Sequence, residues 1–347
     1  MSTCPPRRLN APARFGLLTI LVLLAIVSVV SGGCRRGDPG DEGPRRSGVA
    51  AAATRQAVIQ LNWYPEAEHG GVYQAIADGT YEAEGLEISV RPGGRAVMVA
   101  PELGLGRAQF AIVNADDVVI FRREGSDVVA LMAAVQDHPR CILVRADSGV
   151  EGWEDLAGMT LQRQPGRMFL EFLRARGFLD GVREVGYSGV AGLVQDPQMA
   201  IQGYSFAEPL QLREQGVEPR TLMVSELGWN PYSSVLVTTG TLIRDDPELV
   251  RDVVRATRQG WRNYLADPRL GNEAILQANR YGMTAEALEF GVQELRRLAL
   301  PDDAPPASVG VMAPERWEQL VRQIDELDPG NAGKVRADAC YTTEFLD

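Results

Sequence analysis

The chain has 347 residues, 45% of them hydrophobic and 7% aromatic, which is the composition of a globular protein long enough for two domains. Its net charge of −11 at pH 7 excludes nucleic acid as a partner, because an acidic surface repels the phosphate backbone. The two histidines and four cysteines lack the short spacings of zinc sites, and Lys334 is the single lysine. The sequence therefore predicts neither a metal site nor a bound cofactor.

Residues 1–33 have the pattern of an export signal, in which arginines precede an apolar run from Phe15 to Val30. The run is short for a membrane span. Small residues then lead to Cys34, and this junction resembles a bacterial lipoprotein signal, in which the cysteine is lipidated and becomes the new N-terminus. An uncleaved anchor is the alternative. Either device would hold an exported protein at a membrane, in the periplasm or at the cell surface.

Residues 34–56 are rich in glycine, charge and small side chains, and they predict a flexible tether. Export into an oxidising space would permit a disulfide between Cys141 and Cys340. Buried free thiols at both positions are equally compatible with the sequence.

From Ala57 onward, short apolar strands alternate with helical segments. The predicted strands are 58–61, 86–90, 109–113, 128–135, 141–144, 159–162, a segment near Val185, 200–204 and 233–238. Predicted helices include 71–84 and 167–176, and the C-terminal third is helical. Repeated strand–helix units predict an α/β fold of open, parallel sheets with helices on both faces, and with ligands at the carboxyl ends of the strands.

The middle of the chain has the pattern of an inserted lobe. A turn-rich segment at 147–152 marks the predicted crossing out of the first lobe, and the strand 233–238 marks the return. In the last third, Asp246 and Pro247 begin a helix whose arginines predict a solvated face.

The densest group of candidate binding residues lies in Leu61 to Gly79, LNWYPEAEHGGVYQAIADG. Asn62, Trp63, Tyr64, Glu66 and His69 follow the first strand there, at the position where an open α/β sheet presents its ligand. Aromatic faces beside carboxylate and amide groups suit a flat, nitrogen-containing ring. The alternative is that the two aromatic rings only pack in the core.

This stretch, continued as TYEAEGLEISVRPGG, resembles the start of periplasmic solute-binding proteins of ABC importers. The matching group serves thiamine-pyrimidine precursors, riboflavin, alkanesulfonates and nitrate. The stretches LGLGRAQFAIVNADDVVIFRREG, VVALMAAVQDHP, DSGVEGWEDLAGMTLQ, GYSFAEP and YTTEFL agree with it.

The resemblance implies two α/β lobes of the type II periplasmic-binding-protein fold, joined by two crossing strands, with the ligand in the cleft. Lobe 1 would comprise residues 57–143 plus 235–347, and lobe 2 would comprise residues 144–234. In pyrimidine-binding members, the matching Asn-Trp pair and the Glu of the Gly-Tyr stretch face the ligand. The resemblance thus implies ligand-binding roles for Asn62, Trp63, Tyr204 and Glu208.

Further candidates come from their places next to predicted strands and helices. Asn114 follows a strand, Gln136 ends one, and Trp229 precedes the returning strand. Gln164 and Arg167 begin a helix, whose free N–H groups could bind an acceptor or an anion.

These observations favour a lipid-anchored, monomeric substrate-binding protein of an ABC transporter, with a membrane permease as its partner and a small-molecule ligand. A thiamine-pyrimidine precursor ranks first as ligand and riboflavin second. The alternative is an anion such as an alkanesulfonate or nitrate, held by Arg167 and Arg95. A remote alternative is an enzyme similar to fungal thiamine-pyrimidine synthase, which is disfavoured because residues 111–117 lack lysine and histidine and residues 226–233 lack cysteine.

Overall fold

The structure is a computed structural model that describes residues 54–95 and 97–346. The predicted signal segment, the proposed lipidation site Cys34 and nearly all of the predicted tether lie outside the described residues. The first strand begins at Arg55, so the last two residues assigned to the tether belong to the folded body. Among the described residues, no helix is both long and apolar enough to cross a membrane.

Two five-stranded sheets with helices around them make up this part of the chain, which confirms the predicted α/β class. The first sheet contains β1 (Arg55–Gln60), β2 (Leu86–Arg91), β3 (Phe110–Val113), β4 (Val128–Val135) and β10 (Ser233–Thr239). The second contains β5 (Arg140–Arg145), β6 (Thr160–Arg163), β7 (Arg183–Gly186), β8 (Met199–Tyr204) and β9 (Pro219–Met223).

Both sheets are mixed, whereas the sequence predicted parallel ones. The strand order is β2-β1-β3-β10-β4 in the first sheet and β7-β6-β8-β5-β9 in the second. Strand β10 runs antiparallel to β3 and β4, and β5 runs antiparallel to β8 and β9. Strands β10 and β5 are each the first strand that the chain forms after passing from one sheet to the other. Each therefore runs through its sheet in the direction opposite to its two neighbours.

The chain leaves the first sheet through residues 136–139 and returns through residues 224–232. Strand β5 already belongs to the second sheet, where Cys141 pairs with Gly203 and Met223. The passage therefore precedes the turn-rich segment 147–152, and the predicted lobe boundary after residue 143 falls inside a strand.

Helices cover the faces of both sheets. Those that follow the strands are α1 (Gly70–Ala77), α2 (Thr80–Ala83), α3 (Val99–Gly104), α4 (Ala115–Arg123), α5 (Met168–Ala175), α6 (Ala191–Gln195) and α7 (Glu208–Glu214). The C-terminal third adds α8 (Gly240–Asp245), α9 (Pro247–Ala266), α10 (Arg269–Ala278), α11 (Ala285–Ala299) and α12 (Pro314–Leu327).

The helix predicted over 71–84 is two helices. The chain breaks at Gly79, whose φ of 77° is a left-handed conformation that glycine adopts without steric cost. Helix α1 packs on α9, and Gly71 lies so close to Trp261 that an added Cβ would be 2.2 Å from the indole. This packing fixes the start of α1, and with it the turn that precedes the helix.

The start of α9 follows the sequence prediction, because the Asp246 side chain accepts a hydrogen bond from the Leu249 N–H at 3.0 Å and Pro247 occupies the first turn. Its arginines are not simply solvated. Arg258 and Arg262 donate to backbone carbonyls of the loop 306–309, so they hold that loop on the helix.

Cys141 and Cys340 are both buried free thiols. Cys141 packs among the apolar residues of the second sheet, whereas Cys340 belongs to a separate core cluster that includes Trp317. Of the two states that the sequence left open, the structure contains the free thiols.

Candidate functional site

A cavity of about 310 Å³ lies between the two sheets. Asn62 follows β1 and Asn114 follows β3 on one wall, while Gln164 follows β6 and Tyr204 ends β8 on the other. Both walls are thus built at the carboxyl ends of strands, the position at which open α/β sheets bind ligands.

Three aromatic rings line one side of the cavity. Trp63 and Tyr64 have ring centroids 5.0 Å apart, and Tyr64 lies 3.9 Å from Tyr281, which the C-terminal third contributes from between α10 and α11. Tyr281 remains 62% exposed, and Trp63 and Tyr64 are half-buried. These rings are therefore not ordinary core residues, and they offer surface on which a flat ligand could stack.

Two glycines after β2 determine the shape of this aromatic turn. An added Cβ on Gly93 would lie 2.4 Å from the Leu61 carbonyl oxygen, and one on Gly94 would lie 2.6 Å from the Tyr64 ring. Gly93 also donates its backbone N–H to the Trp63 carbonyl at 2.8 Å. The close approach is possible only because neither residue has a side chain.

His69 fixes the orientation of the Asn62 amide. Its Nδ1 faces the backbone N–H of Glu66 at 3.4 Å, which assigns Nδ1 as the acceptor and places the proton on Nε2. Nε2–H then donates to Oδ1 of Asn62 at 2.9 Å. Burial lowers the pKa of His69 to about 3, so the ring is neutral at physiological pH. The amide nitrogen of Asn62 is left available to the cavity.

Two carboxyl groups at the cavity, those of Glu66 and Glu68, have raised pKa values. The pKa of Glu66 is raised well above its usual value, first by burial and then by Glu68 and Glu208. Burial also raises the pKa of Glu68 to about 7, although the Arg140 guanidinium opposes the shift. A neutral carboxyl can both donate and accept a hydrogen bond. No cluster of histidine, cysteine, aspartate or glutamate in the described part of the chain is arranged to hold a metal ion.

Asn114 connects the two walls of the cavity through Tyr204. Its Nδ2 donates to the Tyr204 hydroxyl at 3.0 Å, and its Oδ1 accepts from Oγ of Ser233 at 2.8 Å. Because the Tyr204 hydroxyl accepts this bond, its own proton is free to be donated. Asn114 therefore acts on a ligand mainly through the tyrosine that it orients.

Glu208 belongs to the second wall and is the first residue of α7. Its carboxylate accepts from the Tyr204 N–H at 2.7 Å and from the Tyr187 hydroxyl at 3.0 Å. Burial raises its pKa, while these hydrogen bonds lower it. Gly203 makes room for the group, because an added Cβ there would lie 2.9 Å from Oε2 of Glu208.

Two arginines complete the second wall. The Arg140 guanidinium stacks over the Tyr204 ring at 4.1 Å from its centroid and is almost fully buried. Arg167 instead reaches across the cavity to Asp117 at 3.2 Å and also donates to Gln164. The Arg167–Asp117 ion pair and the Asn114–Tyr204 hydrogen bond thus link the walls directly.

The sequence model of NMT1/THI5-like proteins matches residues 66–270. The chain belongs to the NMT1/THI5-like family. Among its relatives, the riboflavin-binding protein RibY of Chloroflexus aurantiacus is 28% identical over 267 residues, which cover 74% of each chain. The formylaminopyrimidine-binding protein of Halalkalibacterium halodurans is 22% identical over 89% of this chain and 93% of its own. A third relative, from Legionella pneumophila, is named 4-amino-5-hydroxymethyl-2-methylpyrimidine phosphate synthase and is 20% identical over 84% and 92%.

A structural relative is the periplasmic aliphatic sulphonate binding protein SsuA of Escherichia coli. It superposes with a TM-score of 0.63 at 14% identity, covering 82% of this chain and 91% of its own. The chain therefore has the periplasmic-binding-protein fold. RibY, the formylaminopyrimidine-binding protein and SsuA are all binding proteins rather than enzymes.

Nine of the predicted site residues in this NMT1/THI5-like protein line the cavity. They are Asn62, Trp63, Tyr64, Glu66, Asn114, Gln164, Arg167, Tyr204 and Glu208. His69 lies directly behind Asn62 and acts on the cavity through it.

Gln136 and Trp229 lie elsewhere. Gln136 directly follows β4, which is an edge strand of the first sheet and is covered there by the C-terminal segment. Its side chain therefore donates to the carbonyls of Ala133 and Val311. Trp229 is fully buried and packs against Phe172 at 5.5 Å. The proposed site below leaves both out.

Several cavity residues were not among the sequence candidates. They are Glu68, Asp117, Arg140, Tyr187, Gln202 and Tyr281, with Arg95 considered only for an anion. Arg140 begins the first strand of the second lobe, and Gln202 lies in β8, which pairs with it. A signal existed for Glu68 alone, because it lies inside the candidate turn.

A larger groove of about 1030 Å³ lies beside the cavity and shares Asn62, Asp117 and Arg167 with it. Most of its other walls come from the first lobe, including α3, α4 and α8, and they are largely apolar. We assign the site to the smaller cavity, because that cavity combines both sheets, the aromatic rings and the polar groups.

Proposed function

We propose that the protein is an exported, lipid-anchored and monomeric solute-binding protein that binds a flat, nitrogen-containing ring and delivers it to an ABC permease. The observation that carries this proposal is the cavity itself, in which three aromatic rings face hydrogen-bonding groups of the opposite lobe. Closing two lobes around a planar solute would bury both of its faces. Binding needs no catalytic group.

Riboflavin ranks ahead of a thiamine-pyrimidine precursor in this proposal, which reverses the order suggested by the sequence. The relative named for riboflavin is 28% identical, against 22% for the one named for formylaminopyrimidine. The cavity offers both rings the same features, a stacking surface at Trp63 and hydrogen-bonding groups at Asn62 and Glu208.

Thermal unfolding of the purified protein with riboflavin, formylaminopyrimidine or an alkanesulfonate tests the proposal. A solute at 100 times its dissociation constant stabilises the folded state by about 2.7 kcal/mol, which raises Tm by several degrees. Riboflavin fluorescence supplies a second measurement, which stacking on Trp63 should quench. If neither riboflavin nor formylaminopyrimidine raised Tm, the proposal would be contradicted.

An anion is the second candidate solute, because Arg140 and Arg167 both line the cavity. Arg167 is already paired with Asp117, so an anion would have to compete with a carboxylate for it. The ring therefore remains the better fit. A rise in Tm with the alkanesulfonate alone would reverse this order.

The lipid anchor is tested at Cys34. Replacement Cys34→Ala should prevent lipidation and shift the protein from the membrane fraction to the soluble fraction. Retention of the variant in the membrane would instead support an uncleaved anchor.

A further inference from the structure

Glu68 is a buried carboxyl group without a hydrogen-bond partner. Its residue exposure is 1%, and both carboxyl oxygens are closed to solvent and unpartnered. Its backbone is held in place, since the carbonyl accepts from Oγ of Ser234 at 2.9 Å. An ionised carboxylate in such surroundings is costly unless it finds a donor, so the group must hold a proton or draw on a neighbour.

The neighbour within reach is Nε2 of His69. This nitrogen lies 3.5 Å from Oε1 of Glu68 and 2.9 Å from Oδ1 of Asn62. Because Nδ1 faces the Glu66 N–H, the ring has one proton to donate and two acceptors beside it. At these distances Asn62 receives the hydrogen bond and Glu68 does not.

We propose that Glu68 and His69 form a proton-dependent positioning pair. The pair determines whether the NH2 group of the Asn62 amide is held towards the solute. While Glu68 is protonated, His69 donates to Oδ1 of Asn62 and the amide NH2 faces the cavity. When Glu68 releases its proton to water, the charged carboxylate becomes the stronger acceptor for Nε2–H. Asn62 then loses the donor that holds its amide. The proposal rests on the proposed function only in taking Asn62 as a solute-binding residue.

The charged groups around Glu68 come from several elements and act on it in opposite directions. Arg140 of β5 and Arg167 before α5 favour the ionised form, while Glu208 of α7 and Asp117 of α4 oppose it. Glu68 in turn raises the pKa of Glu66, two residues before it in the chain, and that of the Tyr204 hydroxyl. Helix α11 approaches this turn through Gly291 against Ala67, without a charged contact there. Burial decides the balance and brings the pKa of Glu68 to about 7.

The Glu68–His69 pair predicts for which solutes the binding affinity depends on pH. With Glu68 protonated, Asn62 offers N–H donors, which suit a ring nitrogen or a carbonyl oxygen of the solute. The fraction of protein with a correctly oriented Asn62 falls as Glu68 ionises, and the apparent affinity falls with it by up to about tenfold per pH unit above the midpoint, until it reaches the affinity of a protein without the Asn62 amide. An acceptor-bearing ring should therefore bind best at acidic pH.

Nitrogen NMR of the histidine rings tests the pair without any solute. The chain has only two histidines, so a His138→Gln variant identifies the His69 signals. In the wild type, Nε2 of His69 should shift with a midpoint near pH 7 while the ring stays neutral, and in Glu68→Gln it should be constant. Constant His69 signals in the wild type, or the same midpoint in Glu68→Gln, would overturn the inference.

Solute binding gives the second measurement. Riboflavin affinity should fall between pH 6 and 8.5 in the wild type and stay level in both Glu68→Gln and Asn62→Ala, the latter being weaker throughout. A pH dependence that persists in Asn62→Ala would overturn the positioning role even if Glu68→Gln failed to fold. Failure of every solute to bind the wild type would contradict the proposed function alone, because the NMR titration needs no solute.

Discussion

The two walls of the cavity are built by different means. On the first wall, Asn62 to Tyr64 follow the contour of a backbone turn, which is shaped by Gly93 and Gly94 and supported by the neutral ring of His69. On the second wall, Glu208 accepts hydrogen bonds from the Tyr204 N–H and the Tyr187 hydroxyl, and Arg140 stacks over the Tyr204 ring.

The difference indicates how each wall should respond to change. A wall fixed by steric contact provides the surface on which a ring can stack, and its loss should not depend on salt. The second wall provides orientation through charged groups, among which the Arg167–Asp117 pair is partly exposed, and a partly exposed ion pair is weakened by salt.

The largest effect is expected at the aromatic turn. Trp63→Ala removes a stacking surface and should weaken binding of a ring solute by about 100-fold, equivalent to about 2.7 kcal/mol, with little change in Tm. The matched control is Trp229→Phe, which should lower Tm but leave the affinity unchanged, because Trp229 is buried away from the cavity. Isothermal titration with riboflavin measures the affinity of both variants. Equal affinities for Trp63→Ala and the wild type would remove the first wall from the site.

An intermediate effect is expected at the glycine that supports this turn. Gly94 has a φ of 147° and contacts the Tyr64 ring, so Gly94→Ala should cost about 1–3 kcal/mol of folding free energy and displace the ring. Affinity should fall by about tenfold. Gly104→Ala, in α3, has open space around it and should be neutral or stabilising. Similar denaturation curves for the two variants would show that the turn does not need Gly94.

The smallest effect is expected at the ion pair between the walls. Arg167→Gln breaks the contact with Asp117, in which both side chains are partly exposed, so affinity should change by about two- to fivefold. The change should shrink as salt is raised from about 0.05 to 0.5 M, because the pair is then screened. A loss of 100-fold, or one that is insensitive to salt, would mean that Arg167 binds the solute directly.

The first wall could be predicted from sequence because its members are neighbours in the chain. Asn62, Trp63 and Tyr64 follow β1 directly, so a strand ending in polar and aromatic residues was a sufficient signal. Tyr204 and Glu208 were predicted from the family resemblance of the Gly-Tyr stretch, and one backbone turn brings the Glu208 carboxylate to the Tyr204 N–H.

The rest of the site depends on tertiary packing. Arg140 was not among the sequence candidates, because its role follows only from pairing β5 with β8, which places it over Tyr204. Tyr281 comes from a loop in the helical third, far away in sequence. Trp229 and Gln136 were misplaced because being next to a strand does not reveal which layer of the fold covers the side chain.

Strand β10 has a mechanical consequence. It is the first strand that the chain forms after returning from the second sheet, and its first two residues contact the site: Ser233 donates to Asn114, and Ser234 donates to the Glu68 carbonyl. Ser234 has a φ of 48°, a conformation that non-glycine residues seldom adopt, so the backbone is bent at this point. If the lobes move against each other as proposed, part of that motion would reach the cavity through the residues that lead into this strand. Ser233 and Ser234 would then transmit it to Asn114 and Glu68, so lobe movement and the binding of the solute would be connected.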